Sequence, residues 1–171
     1  GIGGGVIAGG RLLGGSAGYA GEIGHVRVSS STVVDSAGIA GTLEAEVTRE
    51  ELRATLGLER VTPGEFSAAL LADRSDRVAA VVRRQLGHLG TAIAAAINVL
   101  NPQVVALGGF LATLAAYDGE LLEQTVKASA LPPSIEGARI TPAELGENLL
   151  MVGAAGLAFS TLLDDPASVA R

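Results

Sequence analysis

Residues 98–109 read Asn98-Val99-Leu100-Asn101-Pro102-Gln103-Val104-Val105-Ala106-Leu107-Gly108-Gly109, and the change of pattern inside them decides the fold. Upstream, Val78, Val82, Leu86, Leu89, Ile93, Ile97 and Leu100 recur at steps of three and four, which places them on one helical face. This predicts a helix over Asp76–Leu100 with that stripe against a core. Pro102 has no N–H to continue the helical ladder, so Asn101-Pro102 ends it. The short apolar run 103–107, stopped by two glycines, has the pattern of a strand buried in a parallel sheet. A helix passing directly into such a strand is the repeating unit of layered α/β domains.

Working outward toward the carboxyl end, a helix is expected over roughly 119–130, broken by Pro132-Pro133. A strand is expected at Ala138-Arg139-Ile140-Thr141 and a closing helix over 147–163. The longest uncharged apolar run, 149–163, is 15 residues, short of the ~20 that cross a bilayer, and reads as a buried helix. Residues 166–171 are expected to fray. Toward the amino end, residues 1–35 are short apolar runs cut by Gly and Ser. Gly-Val-Ile-Ala before Gly9-Gly10 reads as a strand entering a hairpin with Arg11-Leu12-Leu13. His25-Val26-Arg27-Val28 alternates like a half-buried strand. Thr48 followed by Glu51 predicts a capping box opening a helix that ends near Gly57. The order, β-hairpins followed by alternating helices and strands, predicts one α/β domain over 1–165.

Composition narrows the function. The chain has 171 residues, 48% apolar but only 3% aromatic, so its core must be built from Ala, Val, Leu and Ile packed around many glycines. A net charge of −6, with Arg83-Arg84 the only adjacent basic pair, gives no basic patch for nucleic acid. The absence of cysteine excludes disulfides and thiolate metal sites. The chain opens Gly1-Ile2-Gly3-Gly4-Gly5 with no methionine and no charged signal region, and is expected to be a cytoplasmic fragment.

Several motifs invite a chemical reading. Gly3-x-Gly5-x-x-Ala8 formally matches a dinucleotide fingerprint, but Val6-Ile7-Ala8 runs into Gly9-Gly10 where the fingerprint requires a helix. No Gly-Lys-Ser/Thr follows, which removes a Walker-type loop. In Gly18-Tyr19-Ala20-Gly21-Glu22-Ile23-Gly24-His25, a carboxylate and an imidazole three residues apart share a glycine-rich loop. A carboxylate accepts hydrogen bonds from neighbouring hydroxyls and an imidazole donates or accepts one, which suits a sugar. Local residues alone favour an exposed Glu and a His packed at a strand edge. His88 falls with Arg77 and Arg84 opposite the apolar stripe and reads as solvated. Gly87, Gly90, Gly153 and Gly156 read as helix-packing points.

Taken together, Gly-Ile-Gly-Gly-Gly, then Gly-x-Ala-Gly-Glu-x-Gly-His, then Gly38-x-x-Gly41-x-Leu43-Glu44, resemble the signature of the ROK family of sugar-responsive repressors and sugar kinases. Residues 98–109 are similar to the family's next segment and residues 146–159 to its closing helix. The resemblance implies the second lobe of an actin-like, ribonuclease-H-like two-lobed fold, with sugar held between lobes and Glu22, His25 and Glu44 at the positions that hold its hydroxyls. It also implies a homodimer. Many members carry three cysteines that form a zinc site with the histidine of Glu-x-Gly-His. Here those positions read Asp35, Ala37 and Thr42, so no zinc is expected. The family's phosphate-binding motif, its catalytic base and any DNA-binding helices would lie upstream. No catalytic residue is therefore assigned within this chain.

The repressor branch is favoured, because Phe110 follows Gly108-Gly109 where kinases usually place another glycine close to nucleotide. The alternative is a truncated glucokinase or N-acetylhexosamine kinase. In that case ATP would be the cofactor, with Gly3, Gly4, Gly108 and Gly109 as its phosphate-approach glycines. A third reading is an oligomerisation lobe without ligand function.

Overall fold

In the computed structural model, residues 1–160, 162 and 165–169 are described. A minimal hairpin, β1 (Ile7–Ala8) and β2 (Arg11–Leu12), pairs antiparallel through Gly9-Gly10. Then come α1 (Leu43–Glu46), α2 (Arg49–Thr55), α3 (Pro63–Ala72) and the long α4 (Asp76–Leu100). The second half is β3 (Val104–Leu107), α5 (Phe110–Tyr117), α6 (Gly119–Ser129), α7 (Pro132–Glu136), β4 (Arg139–Pro142) and α8 (Leu149–Ala158). β3 and β4 pair in parallel, Val105 opposite Ile140, with the helices between them forming the crossover.

The core is organised by α4, whose Val78, Val82, Leu86, Leu89, Ile93 and Ile97 are all buried, as the spacing predicts. It packs chiefly against α6 and also against α1, α2, α5 and α7. Leu52, Phe66, Leu70, Leu114, Leu122 and Val126 complete the cluster from the facing elements. Gly90 marks the closest approach, because a Cβ there would stand 2.6 Å from the Thr125 methyl of α6. Gly87, Gly153 and Gly156 have no such neighbour, so their reading as packing points is corrected.

Helix ends follow their capping chemistry. Ser75 caps α4, and Asn101 stops it in the left-handed conformation at φ 44°, which Asn tolerates better than most residues. Thr48 caps α2 by accepting from the Glu51 N–H, but the Glu51 carboxylate turns to Arg84 and Gln85 instead of completing a box. The full capping box is at Thr62 and Glu65, opening α3, an element that the sequence reading passed over, as it did α1 and α5.

Four expectations are corrected and one is extended. The stretch 25–28 is not a strand. Residues Ile23–His25 form a 3-10 turn, and only an isolated bridge, Arg27 to Thr42, follows, because the N–H groups of Val28 and Ser29 both donate to the Gly41 carbonyl. The β3 strand is half open rather than buried, Val104 being 42% exposed, since among the described residues its sheet has two strands. The apolar stripe stops at Ile97, and Leu100 is 40% exposed where the chain turns away. Pro132-Pro133 opens α7 as well as ending α6, proline being well suited to a first helical turn. The closing helix, expected to be buried, is instead a 3-10 turn (Gly146–Asn148) and an exposed α8, with Leu150 at 85% and Met151 at 70% exposure. No described element covers that face. Leu163 lies outside the described residues. Of the tail expected to fray, Pro166–Val169 form a 3-10 turn and 170–171 lie outside the described residues.

Truncating a core side chain of α4 should cost far more than truncating one of α8. Leu86→Ala should lower unfolding free energy by about 2–5 kcal/mol, and Leu150→Ala should stay within about 0.5 kcal/mol. Urea titrations of both variants check the contrast.

Candidate functional site

The site is assembled by close contact between backbones. A Cβ on Gly24 would run into the Ile2 carbonyl oxygen, so glycine there lets the amino-terminal segment lie directly on the turn that carries Glu22 and His25. On the other side, Gly41 sits at φ 69° with its Cα against the Ser29 carbonyl, and the chain enters α1 immediately afterwards. Three segments, 1–5, 21–28 and 35–44, thereby meet at one place.

Glu22 and His25 meet as the sequence reading expects, with Glu22 Oε2 at 4.0 Å from His25 Nε2. Both are partly open to solvent, their side chains 48% and 30% exposed. The negative charge of Glu44 acts on the His25 ring as well. Glu44 is the most firmly held of the three. It accepts the Ile2 N–H at 2.9 Å through Oε2, and both the N–H and the hydroxyl of Ser36 through Oε1. The Ser36 hydroxyl and then the Ile2 N–H hold its carboxyl below the usual glutamate range. Glu44 also lines a cavity with Gly1, Val47, Thr48, Arg49 and Phe110.

Sequence reasoning missed how much Asp35 does. Its side chain is fully buried. Oδ1 accepts the N–H groups of Ala37 and Ile39, each at 2.9 Å. Oδ2 takes the Thr42 hydroxyl and His25 Nδ1, each at 2.8 Å. Thr42, itself wholly buried, also caps α1 by accepting the Ala45 N–H. The signal was present in Asp35-Ser36-Ala37-Gly38, an Asx-turn composition in which the carboxylate bonds the backbone two residues on. The hydrogen bond from His25 drives the Asp35 carboxyl far below the usual carboxylate range, with Ile39, Thr42 and Ala37 helping and burial opposing. His25 is shifted up from 6.5, first by its bond to Asp35 and further by the charges of Asp35, Glu44 and Glu22, against partial desolvation.

The cysteine-substituted positions do not suit zinc. A structural site needs about four ligand atoms, and among the described residues no group of three or more His, Cys, Asp or Glu could hold a metal ion. Asp35 has spent its acceptor positions on protein donors, and Ala37 supplies only backbone.

The remaining candidates separate. Gly4 is explained by packing, since a Cβ would strike the Gly21 carbonyl, and a Cβ on Gly108 would stand 2.6 Å from a Leu149 methyl. Gly3 and Gly109 face open space, Gly109 opening α5 at φ 56°. His88, expected to be solvated, is instead mostly covered and lies 3.7 Å from Glu46, which also accepts the Ser29 hydroxyl. The reason is that α1 packs across the face of α4 assigned to solvent.

The α/β lobe and its loop-borne cluster of acceptors define the class, and comparison with known proteins gives the family. The ROK family model matches residues 1–161. A glucokinase of Halalkalibacterium halodurans is 33% identical over 171 residues, covering 90% of this chain and 52% of that protein. A xylose repressor of Caldicellulosiruptor bescii is 24% identical, over 97% of this chain and 45% of that protein. The solved ROK hexokinase of Thermus thermophilus superposes with a TM-score of 0.71 at 28% identity, over 96% of this chain and 55% of that one. The chain belongs to the ROK family and has its actin-like sugar-kinase fold. It spans about half the length of these relatives. Among the described residues no helix is long and apolar enough to cross a membrane.

The pKa shifts set a pH window. A histidine raised on folding contributes stability that is full below its unfolded value, about 6.5, and is lost as pH rises through the folded value. A depressed carboxylate contributes above its unfolded range and loses that as pH falls through its folded value. The stability difference between the wild type and His25→Gln should therefore be largest between the carboxylate range and about pH 6.5, and shrink on either side. Urea midpoints of both proteins across pH test this. A difference independent of pH would contradict the shifts.

Proposed function

We propose that this chain is the carbohydrate-binding lobe of a sugar-responsive ROK regulator. The observation that carries the binding role is the pair Glu22 and His25, 4.0 Å apart and half open, with Glu44 acting on the same ring. Two carboxylates and an imidazole nitrogen accept several hydrogen bonds, and a monosaccharide is a ligand that presents several hydroxyl donors on one edge. The names of the relatives, a glucokinase, a xylose repressor and a hexokinase, point the same way. The regulator reading is supported by Phe110, which follows Gly108-Gly109 and lines the same cavity as Glu44, adding an aromatic side chain where a further glycine would leave the backbone open.

A kinase is the second reading, favoured by the 33% identity to a glucokinase against 24% to the xylose repressor. On either reading this chain alone neither transfers phosphoryl groups nor binds DNA. The net charge is −6 with no basic cluster, and none of its residues is assigned as a base for in-line transfer.

Among the three candidates Glu22 is the clean probe, because among the described residues its only partner is His25, whereas removing Glu44 also orphans the Ile2 N–H. Glu22→Ala should weaken binding of D-glucose or D-xylose, whichever the chain takes, by about 1–3 kcal/mol, with unfolding unchanged. Titration calorimetry reads it. Equal affinity in wild type and variant would remove Glu22 from the site, and turnover by this chain in an ATP-coupled assay would overturn the inactivity expected of the lobe alone.

A further inference from the structure

We propose that Asp35 is the positioning residue of this site: it fixes the His25 ring through Nδ1, so that Nε2, beside Glu22, is the one ring nitrogen left for a ligand hydroxyl. This rests on the carbohydrate-binding reading for its ligand, but not for its geometry. Asp35 Oδ1 accepts two backbone N–H groups at 2.9 Å, and Oδ2 accepts the Thr42 hydroxyl at 2.8 Å. A carboxylate has about four acceptor positions. The His25 contact at 2.8 Å fills the last, and no position remains for a proton on Asp35. The hydrogen in the His25 to Asp35 bond must therefore belong to Nδ1. In the neutral ring Nε2 then carries the lone pair and acts as an acceptor. Protonation would change Nε2 alone and leave the brace in place.

The brace is itself rigid. Asp35 is anchored to the backbone of its own turn at Ala37 and Ile39, and to Thr42 at the start of α1. α1 packs on α4, so the ring orientation is referred back to the main core. A bound metal would orient a histidine ring in the same way, by fixing one nitrogen and leaving the other free. Here a carboxylate saturated with hydrogen bonds does it, on residue types that do not suit zinc.

The isosteric variant Asp35→Asn gives a specific test. Its oxygen would keep the two backbone N–H groups, which turns its NH2 toward His25 Nδ1. A donor there forces Nδ1 to accept and moves the ring proton to Nε2, the wrong-tautomer effect known when the aspartate of a catalytic triad is replaced by asparagine. Ring 15N spectra of the histidine-labelled chain, recorded above the pH at which His25 titrates, should show the Nδ1–H tautomer in wild type and Nε2–H in Asp35→Asn. Titration with D-glucose and with D-xylose should show about a tenfold loss of affinity in the variant, the size of one mispaired hydrogen bond. That loss should vanish in a His25→Ala background. An Nε2–H ring in wild type overturns the proposal and requires no variant to fold. So does an unchanged tautomer or unchanged sugar affinity in Asp35→Asn. If the tautomer switches as expected while neither sugar perturbs the wild-type spectrum, the brace stands and the carbohydrate reading falls.

Discussion

The arrangement of the amino-terminal third depends on one saturated carboxylate. Asp35 gathers two backbone N–H groups of its own turn, the Thr42 hydroxyl at the start of α1 and the His25 ring from the preceding segment. A buried carboxylate left short of partners would be costly, whereas one with every acceptor position filled is stable and directional. Its partners come from three places in the chain, so satisfying it fixes their mutual positions. The region has almost no regular secondary structure and little core of its own. Ile2 and Leu43 are buried there, while Tyr19, Val33 and Val34 are more than half exposed. Polar contacts and backbone packing at glycine do what a sheet would do elsewhere.

Glu44 repeats the pattern in a second layer. It ties the Ile2 N–H to the Ser36 turn, so the same loop is clamped from both sides, by Asp35 within it and by Glu44 from α1. A third carboxylate, Glu46, takes the Ser29 hydroxyl and approaches His88 on α4. α1 is only one turn long, yet its acidic side chains connect the amino-terminal loops to the long helix at the centre of the core. Any orientation given to His25 is thus referred to α4, the element least able to move.

How much of this was legible depended on whether the signal was periodic. The helix Asp76–Leu100 was read to its boundaries because a long amphipathic stripe carries its own register. The two strands of the second half were read from their short apolar runs between helices, although not their pairing with each other. The hairpin at Gly9-Gly10 followed from its turn residues. Burial was read less well, as α8 and Val104 show, since apolar composition says that a surface wants cover and not that a neighbour supplies it. At the site, Glu22 and His25 lie 4.0 Å apart and the charge of Glu44 acts on the same ring, but the residue that organises them was read only as a substituted cysteine position. Four hydrogen bonds converging from residues 25, 37, 39 and 42 on a single side chain leave no periodic trace.

The charge around His25 constrains what such a site accepts. Asp35, Glu44 and Glu22 all act on the ring. The two arginines that line the neighbouring cavity are committed elsewhere. Arg49 stacks on Phe66 at 5.1 Å and donates to the Val61 carbonyl, and Arg53 pairs with Glu50 and donates to the Leu58 carbonyl. A phosphate or carboxylate brought to Nε2 would meet the like charge of these carboxylates. A neutral ligand that donates from hydroxyls has the opposite experience, since each carboxylate strengthens the hydrogen bond it accepts. Carboxylates thus dominate the charge around the His25 ring, an environment that strengthens hydrogen bonds from hydroxyl donors.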